Sequence, residues 1–136
     1  VSSVGSTLKK EEIGEIPANV KIFPFLPQLE VLENADFFIT HAGIGSVMEA
    51  ACYGVPMLAI PQMDEQAFTA SCMVKAGLGI VIPKEGLTPE KLKTGIQELI
   101  GNPVYKKNAE KMSAELQTLG GAYAADRIME FMAGRA

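Results

Sequence analysis

Short apolar runs rich in β-branched and aromatic residues alternate along the chain with longer stretches whose apolar residues recur at helical spacing. The short runs predict strands at Val1–Val4, Val20–Phe23, Asp36–Thr40, Met57–Ile60 and Ile80–Ile82. Asp36-Phe37-Phe38-Ile39-Thr40 is almost continuously apolar, as expected of a central strand covered on both faces. Helices are predicted at Gln28–Glu33, at Ser46–Tyr53 where Gly54-Val55-Pro56 ends the run, and from about Gln66 to Ala76 before Gly77. Thr88-Pro89-Glu90 sets a capping hydroxyl ahead of a proline at the first helical position and opens a helix to about Ile100. Asn102-Pro103 opens another through Leu119, broken by Gly120-Gly121, and the segment Ala122–Met132 keeps Ile128, Met129, Phe131 and Met132 on an apolar stripe. Strands alternating with helices in this way predict the α/β class, a Rossmann-like parallel sheet with helices on both faces.

Composition narrows the function. The chain has 136 residues, enough for one domain with its own core. A net charge of −4 argues against a general nucleic-acid binder, which needs a basic face for phosphates. It leaves a small phosphorylated ligand open, because a helix N-terminus holds phosphate without Lys or Arg. Cys52 and Cys72 lack metal-ligand spacing and sit in apolar, helix-like surroundings, so buried thiols in a reducing compartment are expected. No signal peptide opens the chain and no apolar run suffices to cross a bilayer, so the expected location is cytoplasmic, with no membrane span. Val1-Ser2-Ser3-Val4-Gly5 reads as the tail of a strand entering a loop, and the chain is expected to be a piece of something longer.

The stretch Thr40-His41-Ala42-Gly43-Ile44-Gly45-Ser46-Val47-Met48-Glu49 carries the most chemistry. A strand ending at Thr40 and a helix beginning near Ser46, with Gly43 and Gly45 in the turn, would aim backbone N–H groups and the positive helix end at one point beyond the sheet. Glycine lets the main chain approach a ligand closely. Ser46 adds a hydroxyl and His41 an imidazole N–H, so the natural occupant is a phosphate or diphosphate. The dinucleotide fingerprint fails because Met48 holds its third glycine position, and the Gly-Lys-Ser/Thr of a Walker loop is absent. Glu49 lies one turn past Gly45, where a carboxylate suits ribose hydroxyls; taken alone it is more often a solvated helix acid, and the surrounding pattern turns the reading toward the ribose.

Pro61-Gln62-Met63-Asp64-Glu65-Gln66 also follows a strand and precedes a helix. Asp64 is expected to cap that helix, while Glu65 and Gln66 face sugar hydroxyls. Phe25-Leu26-Pro27-Gln28 follows an earlier strand; Phe25 offers a face to stack a base and Gln28 an amide, although an aromatic beside proline is more often a core residue.

Together, Phe25-Leu26-Pro27-Gln28, His41 through Glu49, Gly54-Val55-Pro56 and Pro61 through Gln66 resemble the donor signature of the UDP-glycosyltransferase family. That signature runs aromatic-x-Pro-Gln, His-x-Gly-x-x-Ser-x-x-Glu, Gly-Val-Pro, then Pro-x-x-x-Asp/Glu-Gln, in this order and spacing. The flanks Pro17-Ala18-Asn19-Val20 and Gln28-Leu29-Glu30-Val31-Leu32 look most like the bacterial branch, which includes macrolide transferases. The resemblance implies the C-terminal half of a GT-B enzyme that transfers a hexose, glucose first, from a UDP-sugar to a hydroxyl with inversion. It implies that Phe25 stacks on uracil, the Leu26 main chain bonds the base edge, and Gln28 and Glu49 reach the ribose. His41, Gly43, Gly45 and Ser46 would hold the diphosphate, and Glu65 and Gln66 would read the sugar, with no metal and no cofactor beyond the donor. Two departures stand out: Phe25 where the family usually has Trp, and Gly45 where Asn is common. The small hydrophobic acceptor and the catalytic base would belong to an N-terminal domain with no counterpart here. Residues 1–118 would then form the donor-binding domain without its first βα unit, and residues 119–136 a helix packing back on the absent domain. Alternatives are a non-catalytic donor subunit of a bipartite N-acetylglucosaminyltransferase, or a MurG-like GT-B enzyme.

Overall fold

The computed structural model describes residues 1–3 and 14–120. The predicted helix Ala122–Met132, and with it most of the 119–136 segment, lies outside the described residues, as does Val4 of the first predicted strand. By compactness the chain divides into a unit of Val1–Asn34 and a unit of Ala35–Ala136.

In the first unit, β1 (Ser2–Ser3) pairs in parallel with β2 (Ile22–Phe23), Ser2 opposite Ile22 and Ser3 opposite Phe23. A loop leads from β2 into α1 (Gln28–Leu32), with Pro27 extended at the N-cap and Leu32 buried.

The second unit is a three-stranded parallel sheet with helical connections. Its order is β3 (Phe38–Thr40), β4 (Met57–Ala59), β5 (Gly79–Val81), with Thr40 opposite Ala59 and Ala59 opposite Val81. The middle place therefore belongs to β4, whose Met57, Leu58 and Ala59 are wholly buried, and not to the Asp36–Thr40 run, whose Ile39 is 39% exposed. Apolar character reports what a strand can bury, not its place in the order, and the shorter β4 run was equally apolar.

α2 (Ile44–Cys52) connects β3 to β4, and α3 (Asp64–Lys75) connects β4 to β5. Both end in the same joint. The N–H of Gly54 bonds to Ala51 O and that of Val55 to Ala50 O; likewise Gly77 bonds to Val74 O and Leu78 to Met73 O. These are Schellman closures, and Gly54 and Gly77 supply the left-handed residue at φ 65° and 68°. Val55 and Leu78, the next residues, are buried and start β4 and β5 on the core side.

After a 3-10 turn at Lys84–Gly86 come α4 (Pro89–Gly101), capped by Thr88, and α5 (Pro103–Thr118), capped by Asn102. Alternation along β4 sends Leu58 to one face, where it clusters with Ile82 and Leu99, joined by Phe37, Ile80 and Ile96. Met57 and Ala59 point to the other face. α5 ties the ends of α2 and α3 together: Ser113 Oγ donates to Cys52 O, Lys106 Nζ to Gly54 O at 3.0 Å, and Asn108 Nδ2 to Gly77 O at 3.1 Å.

Candidate nucleotide-sugar site

β3 ends at Thr40, which is buried and bonded in two directions. Its carbonyl accepts from Ile60 N at 2.8 Å, and its Oγ1 accepts from Ala42 N at 3.1 Å. Ala42 is fully buried and left-handed, at φ 65°. That conformation costs an L-residue about 1–2 kcal/mol, and backbone strain of this kind concentrates at ligand sites. Gly43 then returns to extended geometry as the N-cap of α2, with no side-chain capping bond. A Cβ on Gly43 would stand 2.7 Å from His41 Nε2, so the imidazole lies against the start of the helix.

α2 begins at Ile44, earlier than the expected Ser46, because Gly43 serves as the cap and Gly45 is accommodated inside the first turn. Val47 N closes the first helical bond to Gly43 O at 3.0 Å. The amides of Ile44, Gly45 and Ser46 thus belong to the first turn of α2, at its positive end. His41 and Gly45 are exposed, Gly43, Ser46 and Glu49 half-buried, and the space beside Gly45 is open.

The second predicted cluster lies beside this loop. β3 and β4 are parallel neighbours, so His41 and Ile60 leave the sheet at the same edge, joined by the Ile60–Thr40 bond. The N-cap of α3 is Met63, with no side-chain capping bond, and Asp64 is the first helical residue instead of the cap. The reason is Gln66, whose Oε1 accepts from Gln62 N at 2.8 Å and fixes the entry one residue earlier. Asp64 and Glu65 still suit the positive end of the helix. Gln66 is half-buried with its oxygen committed to this bond, and Glu65 is exposed.

Phe25, Leu26 and Gln28 belong to the first unit. Phe25 is 78% exposed, so it is no core residue and its ring is available for stacking. Leu26 is half-buried, and Gln28 is the first residue of α1 and half-buried.

Two contributors escaped the sequence reading. Thr40 carries the bond that shapes the His41 turn, and Lys84 Nζ donates to Gln62 O at 3.0 Å, pinning the loop that presents Glu65. A lysine just past a strand end was the one available signal for the latter. Cys52 and Cys72 are exposed free thiols, contrary to expectation: the buried positions of these helices are taken by Val47, Ala50 and Ala51 in α2 and by Ala70 and Met73 in α3. A groove of about 360 Å³ between the end of β5 and α4, floored by Ile82 and Gly95, contains none of the candidate donor residues. Among the described residues no group of three His, Cys, Asp or Glu could hold a metal ion, and no helix is long and apolar enough to cross a membrane.

A parallel α/β sheet that delivers glycine-bearing turns and helix N-termini to one carboxyl edge is a nucleotide-binding architecture. Residues 5–120 match the family described as Erythromycin biosynthesis protein CIII-like, C-terminal domain, and the chain belongs to that family. It is 42% identical over 133 residues to the NDP-glycosyltransferase YjiC of Bacillus subtilis, covering 97% of this chain and 34% of the relative. Among solved structures it is similar to the glycotransferase of kitacinnamycin, at 34% identity and TM-score 0.84, covering 94% of this chain and 33% of that one. A variant of Os79 from O. sativa in complex with UDP is 30% identical with TM-score 0.73, covering 85% of this chain and 29% of that one. The chain spans about a third of the length of the curated relatives it matches, and its fold is the C-terminal part of the GT-B glycosyltransferase fold.

Proposed function

We propose that this chain is the donor-binding part of a glycosyltransferase that moves a hexose, glucose first, from a uridine diphosphate sugar to a hydroxyl of a small hydrophobic acceptor. The observation that carries the reading is the His41–Ser46 turn: an uncapped helix start with an imidazole folded against it and bare main chain at Gly43 and Gly45. Diphosphate oxygens would accept from the amides of the first helical turn, the Ser46 hydroxyl and His41. Glu49 and Gln28 would hold the ribose, Phe25 and the Leu26 main chain the base, and Glu65 with the Gln66 amide nitrogen the sugar.

Chemically the chain would stabilise the leaving diphosphate. As the anomeric carbon–oxygen bond breaks, charge grows on the β-phosphate, and donors fixed beforehand at a helix end lower the barrier. No metal is needed in this scheme, since amides, hydroxyl and imidazole supply the positive field. The base that deprotonates the acceptor would sit in an N-terminal domain of the parent, opposite the leaving group, which gives inversion. Residues 1–118 would be the donor-binding domain and 119–136 a helix returning to that N-terminal domain.

Titration of the isotope-labelled chain with UDP tests the reading, with dTDP as a second arm to read the base preference. Amide signals of Gly43–Val47 are expected to move first. A loop that stays still at millimolar UDP and dTDP refutes the site.

A further inference from the structure

The turn that presents His41 is held by a side chain that touches neither diphosphate nor sugar in the scheme above. Ala42 adopts a left-handed backbone at φ 65° with a full Cβ, and no glycine relieves it. Its N–H is buried and has its partner in Thr40 Oγ1 at 3.1 Å. Thr40 is itself buried at 6% exposure and anchored to β4, its carbonyl accepting from Ile60 N at 2.8 Å. One residue thus links the sheet to the strained turn. The consequence of the turn is the position of His41, whose Nε2 would lie 2.7 Å from a Cβ on Gly43, with Cδ2 and Cε1 each at 3.5 Å.

We propose that Thr40 is a positioning residue: its hydroxyl holds Ala42 left-handed and so keeps the His41 imidazole against the start of α2. Without the hydroxyl, the buried Ala42 N–H loses its acceptor, and the turn relaxes toward a right-handed or extended Ala42. Relaxation rotates the His41 Cα–Cβ vector away from Gly43 and redirects the first amides of α2. The functional consequence rests on the donor-site reading; the geometric one does not. Ala42 and Gly43 themselves offer no substitute acceptor side chain, because Gly43 has none and Ala42 only a methyl.

The experiment compares wild type, Thr40→Val and Thr40→Ser in the 136-residue chain by NMR. The first readout needs no nucleotide: the cross-relaxation contact between the His41 ring protons and the Gly43 α-protons. It is expected in wild type and Thr40→Ser and lost in Thr40→Val. The second is UDP affinity, expected to fall about tenfold in Thr40→Val, the equivalent of one hydrogen bond's worth of geometry, and to recover in Thr40→Ser. A folded Thr40→Val that keeps the ring contact overturns the proposal, whatever UDP does. So does a folded Thr40→Ser that loses the contact, which decides the matter if the valine variant fails to fold. Wild type that keeps the ring contact but ignores UDP would break the donor-site reading and leave the Thr40 geometry standing.

Discussion

Replacing Gly43 by alanine separates the place of the imidazole from the stability of the fold. The backbone at Gly43, φ −60° and ψ 139°, accepts alanine without strain. Alanine at an N-cap is inferior to glycine by up to about 1 kcal/mol, and about 0.4–1 kcal/mol returns through the stiffer unfolded chain. Stability should therefore hardly change. The new methyl cannot coexist with His41 Nε2 at 2.7 Å, and the exposed ring is free to turn into solvent. If the ring is one of the donors to the leaving diphosphate, its departure should raise the barrier by about 2.7–4 kcal/mol, or 10²–10³ in kcat. The assay is turnover of a UDP-sugar by the full-length parent, with kcat and KM separated, beside thermal unfolding. Gly101→Ala, at the last residue of α4 and outside the candidate site, is the matched control: nothing stands within 4 Å of a Cβ there, so turnover should hold within about threefold while the helix gains up to ~1 kcal/mol. Wild-type turnover in a Gly43→Ala enzyme whose ring has demonstrably moved would refute the imidazole's role.

The chain alone should transfer no sugar, because its single histidine is His41, which the proposed reading assigns to the diphosphate. Glucoside formed above background from UDP-glucose and a panel of phenolic and macrolide acceptors would overturn the assignment of base and acceptor to another domain. In the core, Gly79→Ala should cost about 3 kcal/mol, because its Cβ would fall on Met57 O across the β4–β5 ladder. Denaturant unfolding checks this, and a variant within about 0.5 kcal/mol of wild type would mean that the strands part more easily than their register implies.

Much of this was legible in the sequence because local signals and tertiary demand agreed. Gly54 and Gly77 each follow an amphipathic run and precede an apolar one, and both became left-handed closures feeding a buried strand. Thr88-Pro89 and Asn102-Pro103 capped their helices as written. Where reading failed, a competing contact decided. Asp64 was a good cap by type, yet the Gln62–Gln66 bond moved the cap to Met63. Gly45 was placed in the turn before the helix but lies in the first turn of α2, because Gly43 already serves as the cap. The Thr40–Ala42 bond was invisible, since nothing in an alanine announces a positive φ. For the cysteines, apolar neighbours in sequence were mistaken for neighbours in space.

The helix caps divide in a way that bears on the donor site. α4 and α5 start with a side chain bonded to a first-turn amide, Thr88 to Lys91 N and Asn102 to Val104 N. α1, α2 and α3, which follow the ends of β2, β3 and β4, start at Pro27, Gly43 and Met63 with no such bond. Serine, threonine, aspartate or asparagine at Met63 would stabilise α3 by roughly 1 kcal/mol, and even at Gly43 a side-chain cap is worth roughly a few tenths of a kcal/mol over glycine. Leaving those positions without a cap makes sense if a ligand completes them. The opposite ends of α2 and α3 are closed by Gly54 and Gly77 and clamped by Lys106, Asn108 and Ser113 of α5. A helix fixed at its carboxyl end and without a side-chain cap at its amino end can hold its first amides in place for the ligand that the proposed reading assigns to it. Preorganisation of this kind is what lets backbone dipoles stabilise a leaving diphosphate without reorganising as charge develops. Within the second unit, side-chain caps absent at α2 and α3 and present at α4 and α5 fit the proposed donor site, since local rules tend to give way where a ligand is to be held.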